Sequence, residues 1–98
     1  MTRIAETSIV RVRDDVVSRV LGDEVVILAL DSGMYFGLDA VGTRVWELIA
    51  DRRNVGAILQ SLVAEYDIDP VRCAQELFQL LEELHGKGLI DVADANGG

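Results

Sequence analysis

The chain is 98 residues long and half hydrophobic, with 17 acidic residues against nine Lys and Arg and a formal net charge of −8. That size and composition suit one globular domain and exclude a disordered acidic tail, while scattered cations on so acidic a chain argue against nucleic-acid binding, which draws on Lys and Arg to neutralise phosphates. Cys73 is the single cysteine, which rules out an intramolecular disulfide and speaks against a zinc cluster, and the longest apolar run, residues 25–30, is far below the roughly 20 residues that cross a bilayer.

In chain order, residues 1–8 show no periodicity and read as a flexible lead-in without the apolar core of a secretion signal, so a soluble, cytoplasmic protein with no membrane partner is expected. A single domain then spans residues 9–92, and residues 93–98 read as a flexible tail. Within the domain Ile9, Val10, Arg11, Val12 and Arg13 suggest a short extended arm. Val16, Val17, Ser18, Arg19, Val20 and Leu21 form the first strand of a hairpin closed by Gly22 and Asp23, with glycine in the first turn position. The second strand, residues 24–30, is apolar on both faces, as expected of a central strand covered twice. Asp31, Ser32 and Gly33 carry turn chemistry. Met34, Tyr35, Phe36, Gly37 and Leu38 then return as the third strand of an antiparallel meander.

From Asp39 the period changes to that of helices. Asp39, Asn54 and Asp69 are N-caps. Val41, Val45, Leu48 and Ile49 follow the first at helical spacing, and Pro70 fits the first position of the third helix, which Gly86 and Gly88 end. Arg52 and Arg53 read as a solvated loop between the first two helices. Three strands followed by three helices make an α+β domain. Leu89, Ile90, Asp91 and Val92 are expected to dock as a short extension against the helices.

Leu30, Asp31, Ser32, Gly33, Met34, Tyr35, Phe36, Gly37, Leu38 and Asp39, followed by Val41, Gly42, Val45 and Trp46, resemble the strand-to-helix segment of the small chaperone of pyrroloquinoline quinone biosynthesis. That family's relatives are the recognition elements of ribosomally made, post-translationally modified peptides. Residues 77–81 with Leu84, Gly88, Leu89 and Ile90 are similar to the family's last helix and exit, so the resemblance spans roughly residues 10–92. It implies a winged helix-turn-helix-like fold that binds the leader of a precursor peptide, antiparallel to the third strand and against the last helix, and presents it to a modifying enzyme or leader peptidase. As a free-standing chain this one is similar to members serving the quinone pathway and lasso-peptide pathways.

The residues bear on that expectation independently. The third strand is a meander edge without the charges and prolines that blunt such edges, and Gly37 would let a second backbone approach. At about 100° per residue, Cys73, Leu77, Leu80, Leu81 and Leu84 of the last helix centre on the core, Ala74, Phe78 and Val71 extend one flank, and Glu76, Glu83 and Lys87 occupy the other. With the groove that the resemblance implies between the third strand and the last helix, the expected peptide-binding set is Met34, Tyr35, Phe36, Gly37, Leu38, Val71, Ala74, Phe78 and Leu81. Trp46 reads as a packing residue and Cys73 as an inert small hydrophobe. His85 has no catalytic partner at recognisable spacing, so no enzyme, metal or cofactor is expected. A winged-helix DNA-binding regulator and a homodimer pairing through the same strand edge are the alternatives.

Overall fold

The computed structural model describes residues 4–51 and 54–94, so the Arg52 and Arg53 loop lies outside the described residues. Its elements in order are β1 (Ser8–Val12), β2 (Val16–Leu21), β3 (Glu24–Ala29), β4 (Tyr35–Leu38), α1 (Ala40–Ala50), α2 (Val55–Tyr66), α3 (Pro70–Gly86) and β5 (Ile90–Asp94). The meander is present as a three-stranded antiparallel sheet in the order β2-β3-β4. Gly22 at φ 67° turns the first hairpin, in the left-handed region that only glycine adopts readily.

Each helix starts on its expected cap. The carboxylate of Asp39 accepts from the Gly42 N–H, the side-chain oxygen of Asn54 from Ala57, and that of Asp69 from Arg72. At the far end of α3 the left-handed Gly88 lets the Leu89 N–H reach back to the Leu84 carbonyl at 3.0 Å, closing the helix in a Schellman-type turn. One core joins the inner face of the meander to the helices: Val25, Ile27 and Ala29 pack with Leu48, Ile49, Ile58, Leu77, Leu81 and Leu84.

Three expectations change. The arm and the C-terminal extension are strands of a second sheet, β1 antiparallel to β5, running from Ser8 opposite Asp94 to Val12 opposite Ile90. Arg11 and Arg13 both reach Asp91 across this ladder, at 3.4 and 3.2 Å. Secondly, the ordered chain passes both expected domain limits, because Ile4 is buried in the core and Ala93 pairs with Ile9. Thirdly, β3 is covered once. Val26 and Leu28 stay half-buried, on a face shared with exposed Val17 and Tyr35, and no helix packs over that face among the described residues.

Candidate functional site

β4 pairs only with β3, which leaves its other side as an open edge among the described residues. The register sets Phe36 opposite Ile27 and Leu38 opposite Val25, and the Ala29 N–H donates to the Met34 carbonyl at 3.0 Å. In an antiparallel ladder hydrogen-bonded and non-hydrogen-bonded pairs alternate. The Met34 carbonyl and the backbone groups of Phe36 and Leu38 therefore turn inward to β3, the Met34 N–H donating instead to Ser32 Oγ, and Tyr35 and Gly37 turn theirs to the open edge. At the Leu38 end the ladder is completed by a side chain: the Val25 N–H donates to Thr43 Oγ1 at 3.0 Å, and that hydroxyl lies 3.5 Å from the Leu38 carbonyl oxygen it donates to. Neither crowding nor dihedral requires a glycine at position 37, since a Cβ there would meet nothing within 4 Å and its φ is not in the left-handed region.

Beside this edge lies a cleft of about 400 Å³. It is lined by Phe36, Gly37 and Leu38 of β4 with Asp39, by Val41, Gly42 and Val45 of α1, by Leu62, Tyr66 and Ile68 in and after α2, and by Cys73, Glu76, Leu77 and Leu80 of α3. Burial, with a smaller contribution from Glu76, pushes the Cys73 thiol pKa up, so this lining atom is held as the neutral thiol. A smaller recess of about 200 Å³ continues past Phe36, lined by Ser32, Met34, Tyr35, Lys87 and Leu89. Lys87 Nζ lies 5.4 Å from the centroid of the Phe36 ring, a cation–π geometry that ties the end of α3 to β4. Arg44 of α1 makes a bidentate pair with Glu65 of α2 at 2.8 and 2.9 Å, which raises the guanidinium pKa and links the two helices at the surface.

The structure thus brings five of the expected residues to the β4 side: Phe36, Gly37 and Leu38 on the main cleft, and Met34 and Tyr35, 62% and 72% exposed, on the recess with Phe36. It does not bring Val71, Ala74, Phe78 or Leu81 there. Leu81 is wholly buried in the core, Phe78 packs against that core from the side, Ala74 is half-buried, and Val71 is exposed to solvent. The cleft uses the opposite flank of α3, that of Glu76 and Leu80. Hydrophobicity pointed to the Phe78 shoulder, which packs against the core, whereas the cleft lies along the other flank. Trp46 is buried as a packing residue, and no cluster of three metal-ligating side chains occurs among the described residues.

A profile of the family described as coenzyme PQQ synthesis protein D (PqqD) matches residues 24–90. Among solved structures, TbiB1 in complex with the TbiA(beta) leader peptide matches with a TM-score of 0.79 at 40% identity, over 83% of this chain and 94% of that one. The PqqD truncation of Methylobacterium extorquens PqqCD, described as a functional, stand-alone recognition element for ribosomally synthesised and post-translationally modified peptides, matches with a TM-score of 0.76 at 26% identity, over 92% and 96%. A lasso peptide synthetase B1 complexed with its leader peptide shares the fold at a TM-score of 0.77 and 21% identity, over 89% and 99%. No curated protein sequence matches the chain.

Proposed function

The chain belongs to the PqqD family, and from that premise we propose that it is a non-catalytic peptide-recognition protein of the cytoplasm. It captures the leader of a ribosomally made precursor peptide as a fourth strand on β4 and hands it to a modifying enzyme or leader peptidase. The observation that carries this reading is the open edge of β4 beside an apolar cleft. Strand addition needs free backbone groups plus pockets for alternate side chains. Tyr35 and Gly37 would supply the backbone groups. Phe36 and Leu38, with Leu77 and Leu80 across the cleft, would hold the peptide's apolar side chains. The absence of a side chain at Gly37, which the fold itself does not require, leaves room for the incoming strand on the outer face. The TbiB1 complex adds weight, since a relative 40% identical to this chain holds a leader peptide.

Titration calorimetry tests the reading. The probes are the leader of the precursor peptide encoded beside this chain and the TbiA(beta) leader, each titrated in the presence of a chelator. Saturable binding of the first is expected with no metal or cofactor added. Absence of saturable binding to either peptide overturns leader capture, and binding that disappears only when chelator is present overturns the metal-free mechanism.

A further inference from the structure

The two recesses beside β4 carry opposite charge. The main cleft, at the Leu38 end, is lined by the carboxylates of Asp39 and Glu76 and by no cation, whereas Lys87 is the one charged lining residue of the recess at the Tyr35 end. The sign changes in the same sense along both walls, because the α3 residues that share the main cleft with Phe36, Gly37 and Leu38 run from Cys73 to Leu80, whereas Lys87 shares the recess with Met34, Tyr35 and Phe36. Glu76 and Lys87 are eleven residues apart on α3 and its cap, about 16 Å at the helical rise, which is the span of about five residues of extended chain. Asp39 uses Oδ1 for its cap bond to the Gly42 N–H at 2.8 Å, which leaves its second oxygen for a ligand. Glu76 lies 3.6 Å from Arg72 in a pair whose side chains are largely exposed. Such pairs hold weakly and exchange readily for a better-shielded partner. Lys87 has no ion pair among the described residues, and Glu83, one turn earlier, lines neither recess.

We infer that the peptide this edge selects is charge-polarised: an apolar extended stretch of about five residues with a basic residue over Asp39 and Glu76 and an acidic residue beside Lys87. The inference rests on strand capture at β4 and adds what fixes register and direction. Apolar side chains alone tolerate a slip of two residues, which restores the same facing. Opposite charges at the two ends do not, because a slip or a reversed strand breaks both pairs, and reversal sets like charges together. The net charge of −8 also favours approach by the basic end.

Selection from a displayed library of random dodecapeptides on the immobilised full chain tests this, in parallel with the Glu76→Lys/Lys87→Glu double variant, which keeps the net charge and alters two exposed side chains. Wild-type binders should show an apolar centre with Lys or Arg on one side and Asp or Glu on the other, enriched about fivefold over the unselected library, the scale of a partly exposed ion pair. The double variant should reverse that order. Affinity of a selected wild-type binder should also fall severalfold on raising salt, a measurement that does not depend on the variant folding. Apolar binders with no charge order, or the same order from both proteins, overturn the inference and leave strand capture standing. If no sequence is enriched over bare support, strand capture fails and takes the inference with it.

Discussion

Phe78 and Leu80 stand two positions apart on α3 and have different surroundings: Phe78 leans on the core away from the cleft, and Leu80 lines the cleft. Phe78→Ala should lower the stability measured in urea by about 2 kcal/mol, less than a fully buried phenylalanine costs, and leave the leader affinity of the folded protein unchanged. Leu80→Ala should do the reverse, weakening leader binding about tenfold, or about 1.4 kcal/mol, at a smaller cost in urea. Equal effects of the two variants on affinity would place the groove elsewhere. Cys73 gives a pH test. Burial raises its pKa above the unfolded value, so its contribution to stability is complete well below about pH 8.5, where an unfolded thiol is half ionised, and is lost as pH rises through the folded value. Urea unfolding at neutral and at high pH should show the wild type losing more stability than Cys73→Val. The open edge of β4 was readable from residues 34–38, because an edge announces itself by what is missing, charge and proline. The α3 wall of the cleft was not. A single helix has no signal that says which of two half-apolar shoulders another element will cover.

At the scale of elements, the alternation along β4 makes backbone chemistry separable from side-chain chemistry. Tyr35 sends its N–H outward and Phe36 sends its N–H to Ile27. Tyr35→Pro should remain folded by circular dichroism and lose most of its leader affinity, since proline is tolerated on an edge where the missing donor faced outward. Phe36→Pro should unfold or melt early, because it removes a ladder bond in a strand of only four residues. Normal leader binding by folded Tyr35→Pro would show that the peptide is not an added strand. The helices were legible because caps and periodicity are local: Asp39, Asn54 and Asp69 each sit three residues before the N–H they accept. The pairing of β1 with β5 was not, since Ile9 and Ala93 meet only after the chain has folded around everything between them. The uncovered face of β3 misled for a related reason: Val26 and Leu28 look like core by composition, and whether a layer lies over them depends on where the helices go.

For the whole molecule, charge separates peptide capture from the DNA-binding role that a winged helix-turn-helix-like shape could otherwise suggest. With a net charge of −8 and Lys87 turned to the Phe36 ring, α3 offers little to hold phosphates. Gel-shift titration with duplex DNA at low salt should show no retarded band, and a salt-sensitive complex would reopen the regulator. The sheet formed by β1 and β5 has a mechanical consequence. Ser8 lies opposite Asp94, so the described chain enters and leaves at the same end of that ladder. Tension applied across the two ends pulls the strands apart sideways, breaking their hydrogen bonds one after another, where a shear geometry would load them all together. Pulled in this way the domain should open at low force by peeling β5 from β1, and the hairpin that carries the leader-binding edge would be unravelled only afterwards.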